Sequence, residues 1–478
     1  MKLFFTSDIH GYFYPSDYIT TNDKKIGIFR NLMQINKGQD DLLIDGGDML
    51  YGSALVNYLQ RNKQGNKVAE IMNDLGYDIV TVGNHDFNFS YTYLKSYLDN
   101  LKAQITCVNL LEDQKTIYPS IIKTVGQQKI AFIGLVTDYV NVWEPKSNLE
   151  NAQIVDSFTT LQREIANLKS QVDVIVGIYH GGLEVDLDTF EVLQKHKENR
   201  AYAMASQLDL DILLTGHQHL AINQIINDTL VIQVRNNGLD LVEIDLGKKL
   251  QQRKVKFYHP TMLKNPLEVK YAAINAKVNT WLDMEIGCLK QPLKAKSRVK
   301  MAQCGSELAA FFNQVQLYYT KADISVVALS NNPVGFEQKV TRRDVLANYP
   351  FPNTLKVLKI TGSKLRKCVE KSGEYLEYVN GELKVSAAFT RPKLAHYNFD
   401  FYANIDYEFD FHQEVGQRLV KFKYQGHDIQ DQDVFTIALN NYRAAGGGEY
   451  VWYQDCPLIS EINQEIADLI ISYFEKVI

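Results

Sequence analysis

Apolar residues gather in short unbroken runs along the first half of the chain. Lys2–Ser7, Leu42–Ile44, Ile79–Val82, Ile130–Val136, Val172–Tyr179 and Ile212–Thr215 are rich in β-branched and aromatic residues, which predicts buried strands. Between them, Asn66–Leu75 and Asp156–Leu168 place apolar residues three and four apart, as amphipathic helices do. Strand alternating with helix predicts a layered α/β domain. In such sheets, ligands sit beyond the carboxyl ends of the strands.

The pattern changes after residue 245. Residues 266–287 start with Pro and finish with Gly around a helical pattern, which predicts a linker helix. Beyond it, Leu308–Gln316 reads as helix and Lys356–Ile360 as strand. A helix then follows Thr361-Gly362-Ser363 and ends near Ser372-Gly373, with further strands at Leu419–Tyr424 and Val434–Leu439. The expected organisation is a first domain over 1–248, a linker with its helix over 249–298, and a smaller α+β domain over 299–478.

A chain of 478 residues exceeds what one core can serve, so two domains fit its length as well as its pattern. Composition is that of an ordinary globular protein, 45% hydrophobic and 22% charged. The net charge of −5 argues against a nucleic-acid polymer as partner, so an anionic ligand must be held by local positive charge. No segment approaches the roughly 20 apolar residues that span a bilayer, so no membrane is expected as a partner. Asp8 arrives before any signal-like apolar run, and the five scattered cysteines form no C-x-x-C pair. These features predict free thiols and a cytoplasmic location; a chain already trimmed of an export signal has the same appearance.

The predicted strands end in polar clusters: Asp8-Ile9-His10, Gly47-Asp48, Gly83-Asn84-His85-Asp86, His180-Gly181-Gly182 and Gly216-His217-Gln218-His219. Half of the ten histidines are in this set. A single His after a strand is more often a surface or core residue, but five clusters on successive strand ends point to a common site. Imidazole with carboxylate and amide oxygen, and no thiolate, suits Mn²⁺, Zn²⁺, Fe or Co. Apart from His85 and Asp86, seven ligand-type groups are too many for one ion. They suit two ions about 3.5–4 Å apart that share a carboxylate. Asp48, the lone carboxylate between the other groups in chain order, is the natural bridge.

The order D-x-H, G-D, G-N-H-D, H and G-H-x-H resembles the metallophosphoesterase (calcineurin-like) superfamily over the first half of the chain. The resemblance implies a four-layer α/β/β/α fold and a dinuclear site. It implies that Asp8, His10 and His219 bind one metal, that Asn84, His180 and His217 bind the other, and that Asp48 bridges. It makes His85 and Asp86 a catalytic dyad. Two cations lower the pKa of a shared water, making hydroxide available near neutral pH. His85, positioned by Asp86, would then protonate the departing alkoxide.

Tyr349-Pro-Phe-Pro-Asn-Thr-Leu355 and Asn440-Asn441-Tyr442-Arg443-Ala-Ala-Gly-Gly-Gly448 resemble the C-terminal domain of the 5′-nucleotidase family. N-N-Y-R-A together with Tyr397-Asn398-Phe399-Asp400 is similar to the branch that includes 2′,3′-cyclic-nucleotide 2′-phosphodiesterases. The resemblance implies a nucleotide substrate whose base stacks between Phe399 and Tyr442, with Gly446 and Gly447 permitting close approach. It also implies an active cleft between the two domains. The family's N-G-G-G-x-R pattern falls at Asn331 to Phe336, where its phosphate-gripping Arg is absent. Its G-G-D carboxylate falls at Gly448. Asn331 and Arg443 are the remaining candidates for substrate contact, Arg443 either as a replacement cation or as half of a structural ion pair. Losing an acceptor for the ribose hydroxyls favours a 2′,3′-cyclic or 3′-nucleotide. The alternatives are a 5′-nucleotidase or nucleotide-sugar hydrolase and, from other classes, a silent nucleotide-binding protein or a surface adhesion protein.

Overall fold

The apolar runs of the first half form two six-stranded sheets. In the first, Lys2–Thr6 pairs in parallel with Leu42–Asp45, which continues through Ile79–Val80 to Gln104–Ile105; Leu241–Asp245 and Val255–Tyr258 add antiparallel strands on the other side. In the second, Gln128–Val136, Val174–His180, Ile212–Thr215 and Thr229–Gln233 run parallel, with Ile121–Val125 and Ile222–Ile226 antiparallel at the edges. A computed structural model of the chain describes residues 1–20, 22–125, 128–187, 189, 191–192, 197–246, 253–351, 353–391 and 394–478. The expected domain boundary at 248 and Pro352 of the Tyr349–Leu355 stretch lie outside the described residues.

Alternation along the strands creates the layers. Leu3, Phe5 and Ile44 of the first sheet share one core with Phe132, Val176, Ile178 and Leu214 of the second. The opposite face of the second sheet (Ile133, Ile175, Leu213) packs with Leu161 and Ile165 of the helix Ser157–Leu168 and with Met204 of Ala201–Gln207. The opposite face of the first sheet (Phe4, Leu43, Val80) is buried as well, and the helices Ala54–Arg61, Asn66–Leu75 and Tyr91–Asp99 each bury one apolar stripe. The result is an α/β/β/α sandwich. Each such side chain, fully buried, contributes about 1.5–3 kcal/mol.

The chain divides into two compact units, Met1–Asn279 and Thr280–Ile478. The linker helix expected over 266–287 is in fact two helices and a strand. Asn265 and Glu268 form a capping box for Pro266–Lys270, and the helix resumes at Ala272 and ends at Leu282. Glu285–Cys288 is a strand paired with Lys339–Thr341. Gly287, expected to stop a helix, is instead a place where the Phe474 ring lies against the backbone.

The second unit is built on a five-stranded sheet ordered Asp400–Ala403, Ile324–Ala328, Val434–Asn440, Thr354–Thr361 and Leu458–Glu465. One face carries a core with the helices Glu307–Thr320 and Ile466–Val477, and the other packs against Gly362–Ser372. All five cysteines are free thiols. Among the described residues no helix is long and apolar enough to cross a membrane.

Candidate metal centre

The strand ends of the first unit bring the predicted ligands to one place. Ligand atoms of Asp8, His10 and His219 lie within 4.8 Å of one another, as do those of Asp8, Asp48 and His180. Asp8, His10, Asp48, His217 and His219 all adopt positive φ, between 53° and 74°. Non-glycine residues seldom adopt this left-handed conformation, and its concentration here marks a backbone bent to aim side chains inward. Two glycines make room: a Cβ on Gly83 would strike the Asp48 carboxylate, and one on Gly216 would strike Asp8 and Ser7.

Hydrogen bonds behind the ligands fix which atoms face the centre. His10 Nδ1 is 2.8 Å from the carbonyl of Tyr51, and His180 Nδ1 is 2.7 Å from that of Gly46. A carbonyl only accepts, so both rings carry their proton on Nδ1 and turn Nε2 inward. His10 Nε2 then stands 3.3 Å from His219 Nε2, which is 3.3 Å from Asp8 Oδ1. His180 Nε2 is 3.1 Å from Asp48 Oδ2, off the line a hydrogen bond requires. Both atoms are buried and have no hydrogen-bond partner among the described residues. Asp48 Oδ2 is also 3.9 Å from His10 Nε2, so it faces both groups of donors.

His217 and Asn84 complete the second group. His217 Nε2 is 3.0 Å from Glu198 Oε1, and a carboxylate only accepts, so this nitrogen carries the proton. In the neutral ring Nδ1 is then the lone-pair nitrogen, and it lies 2.9 Å from Asn84 Oδ1. A cation held by both atoms would satisfy them together. The Trp143 ring stacks on His217 at 5.5 Å.

Charges within the cluster set one another's protonation. Burial alone would lower the His180 imidazole, but Asp48 and Asp8 outweigh it and push His180 up to about 10. Burial, with His219 and His85 nearby, takes His10 down to about 4 despite its acidic neighbours. Burial would raise Asp8 and Asp48, but the adjacent imidazoles hold both below the usual carboxylate range. Buried nitrogen and oxygen atoms that converge at these distances, with Asp48 Oδ2 and His180 Nε2 lacking a hydrogen-bond partner among the described residues, fit a pair of divalent cations.

The expected dyad is not formed. Asp86 accepts four backbone N–H bonds, from Gly83 (2.8 Å), Asp48 (3.0 Å), Met49 (2.8 Å) and Leu50 (2.8 Å), and none from the His85 ring. It pins the loop that carries Asp48. Adjacent side chains on the 3₁₀ turn His85–Phe87 diverge, whereas the residue three positions on returns to the same side. That residue is Asn88, whose Oδ1 is 2.7 Å from His85 Nδ1. His85 donates its backbone N–H to Asp48 Oδ1 (2.8 Å), and its ring lies 5.5 Å from that of His10.

Residues 1–221 match the calcineurin-like phosphoesterase family, and residues 285–455 match the C-terminal domain of 5′-nucleotidases. A Staphylococcus aureus structure assigned as a 5′-nucleotidase is 31% identical; the alignment covers 99% of this chain and 96% of that one, with a TM-score of 0.87. The chain belongs to the 5′-nucleotidase family. This is a family of hydrolases, and its phosphoesterase domain implies divalent metals. Similar over most of their length are two proteins named 2′,3′-cyclic-nucleotide 2′-phosphodiesterase/3′-nucleotidase. One, from Haemophilus influenzae, is 26% identical over 100% of this chain and 85% of its own. The other, from Salmonella typhimurium, is 22% identical over 94% and 81%.

In the second unit of this 5′-nucleotidase-family chain, several expected substrate residues have structural work. Phe399 is 4% exposed, its ring 4.6 Å from Tyr375 and 4.8 Å from Phe401, so no open face remains for a base. Arg443 is 2% exposed and forms an ion pair with Asp400 (2.9 Å), while also donating to the carbonyls of Tyr397 and Gly447. A buried carboxylate needs a counterion, and Arg443 supplies it. The N-N-Y-R and Y-N-F-D motifs thus hold each other. Asn331 clamps two loops, accepting from His396 N (3.0 Å) and donating to Leu394 O (3.0 Å). Gly446 has φ 85°, and Gly447 allows the Tyr442 ring to lie against the backbone. Tyr442 itself is 45% exposed.

Proposed function

We propose that the chain is a divalent-metal-dependent phosphoesterase that acts on nucleotides, opening 2′,3′-cyclic nucleotides and removing 3′-phosphates. The observation that carries this reading is the pair Asp48 Oδ2 and His180 Nε2, buried and without hydrogen-bond partners among the described residues, within a ring of inward-facing imidazole nitrogens. Asp8, His10 and His219 would hold one cation, and Asn84, His180 and His217 the other, with Asp48 between them. Bound there, two cations supply charge neutralisation for a phosphate and a nucleophile at neutral pH. Asn84 is neutral, which leaves the loaded centre positive toward an anionic ester. His85 stands beside Asp48 and gives a proton to the leaving oxygen. Asp86 keeps the Asp48 loop in place, and Tyr442 offers an exposed ring to a base.

The 2′,3′-cyclic preference draws support from the names of the Haemophilus and Salmonella relatives and from the absent Arg and Asp at the family's phosphate and ribose positions. A second reading, 5′-nucleotidase, is favoured by the assignment of the Staphylococcus aureus protein. Hydrolysis rates with Mn²⁺ on 2′,3′-cAMP, 3′-AMP, AMP and UDP-glucose, with His85→Ala alongside, decide between them. Faster turnover of 2′,3′-cAMP than of AMP is expected. Preference for AMP moves the chain to the second reading, and silence on every compound removes both.

A further inference from the structure

Behind His85, away from the predicted ligands, runs a chain of polar contacts that ends in a buried carboxylate. His85 Nδ1 meets Asn88 Oδ1 at 2.7 Å, and Asn88 Nδ2 donates to Glu144 Oε1 at 2.6 Å. The other oxygen of Glu144 accepts from Asn148 Nδ2 at 2.9 Å, and Asn148 also donates to the Asn88 carbonyl at 3.1 Å. Glu144 is only 9% exposed. It directly follows the turn Val140–Trp143, whose Trp143 stacks on His217, so one short segment supports both sides of the centre.

We propose that Glu144 is a positioning residue for His85, acting through Asn88 to set which ring nitrogen faces the reacting ester. The inference rests on the phosphoesterase reading. A side-chain amide has two ends of nearly equal shape, so Asn88 alone does not specify whether His85 meets an acceptor or a donor. Glu144 removes the ambiguity. In its ionised form the carboxylate only accepts, so Asn88 turns its NH₂ toward Glu144 and its oxygen toward His85. Nδ1 of His85 then faces an acceptor, which leaves Nε2 as the ring nitrogen for the reacting ester. With the amide reversed, its NH₂ would face Nδ1 and forbid a hydrogen there, so the ring could not hold a second proton to give to the leaving oxygen. The proton taken up at Nε2 passes to the alkoxide as the phosphorus–oxygen bond breaks, and Nδ1–H stays bonded to Asn88 throughout.

The leaving group separates this role from simple packing. An alkoxide departs poorly without a proton, whereas p-nitrophenolate departs unaided, so a residue acting through His85 matters for one and not the other. In the full chain loaded with Mn²⁺, Glu144→Leu is expected to lower kcat on 2′,3′-cAMP by about 10- to 100-fold, with KM unchanged. Turnover of bis(p-nitrophenyl) phosphate should stay within about threefold of wild type. Asn88→Asp combined with Glu144→Gln puts a carboxylate directly on Nδ1 and should keep nucleotide turnover near wild type. Equal loss on both esters, no loss at all, or failure of the double variant to recover overturns the inference. Should wild type be silent on both esters, the phosphoesterase reading fails, and ¹⁵N-histidine NMR still tests the positioning role. His85 is expected as the Nδ1–H form in wild type and as a mixture in Glu144→Leu; an unchanged Nδ1–H form in the variant contradicts it.

Discussion

His180 Nε2 and Asp48 Oδ2 stand 3.1 Å apart in a fully buried setting, and neither has a hydrogen-bond partner among the described residues. Their electrostatics predict a proton balance. Burial disfavours the imidazolium, but Asp48 and Asp8 override it and hold His180 up to about 10. The metal-free protein therefore keeps a proton there at pH 7, and loading must expel it. Calorimetric titration of Mn²⁺ in buffers of different ionisation enthalpy should report release of about one proton at pH 7. His10, held down to about 4, contributes none. Zero release contradicts the assignment of His180.

The same shift sets a pH dependence for the metal-free chain. A raised folded pKa means that the stabilisation is fully present below the ordinary histidine value of 6.5 and is lost as pH rises through about 10. Thermal stability in chelator should fall between these limits, and saturating Mn²⁺ should flatten the profile. A rise in stability over that window contradicts the sign.

Glu198 holds the Nε2 proton of His217 and leaves Nδ1 for a cation. Glu198→Ala is expected to weaken one of the two Mn²⁺ sites, the one that includes His217, by about 10- to 100-fold, the range seen when such a partner is removed. Equilibrium dialysis checks it; unchanged affinity at both sites rules the role out.

Asp86 and His85 should separate cleanly. Asp86→Ala strips the acceptor from four buried N–H groups and is expected to cost on the order of 3–4 kcal/mol of stability in urea melts. His85→Ala, which removes one part-buried hydrogen bond, should cost about 0.5–1.5 kcal/mol while abolishing nucleotide turnover. Equal stability loss in both would return Asp86 to the role of a partner for His85.

Much of the metal centre was legible because each ligand follows a buried apolar run, and parallel strands deliver their ends to one rim. The helix Asn66–Leu75 matched its pattern because nothing tertiary competes with its apolar stripe. The other predicted helix, Asp156–Leu168, begins one residue later than the pattern suggests, with Asp156 accepting from Thr159 as the cap. What failed depended on direction or on distance. Asp86 adjoins His85 in sequence, yet neighbouring side chains on a helical turn point apart, and the spacing of three to Asn88 was the better signal. Glu198 and Glu144 lie far along the chain from the histidines they serve, in segments with no periodicity to mark them. For Arg443 the two readings, ligand cation and structural ion pair, stay level in the sequence because nothing local announces that Asp400 is buried beside it; the ion pair is the one formed.

That ion pair makes its own forecast. Asp400→Asn leaves a buried guanidinium without its counterion and should destabilise the second unit by about 3–5 kcal/mol in urea melts. Tyr442→Ala should leave stability unchanged and raise KM for nucleotides by an amount equivalent to about 1–3 kcal/mol, the worth of one stacked base. A fall in stability for Tyr442→Ala with KM unchanged would place its ring in packing alone.

Crystals of the chain loaded with Mn²⁺ and measured at the manganese absorption edge put the cation pair to direct test. Two anomalous peaks about 3.5–4 Å apart are expected. One should be in contact with His10 and His219, the other with His180, His217 and Asn84, and both with Asp48. A single peak, or none among these residues, contradicts the account.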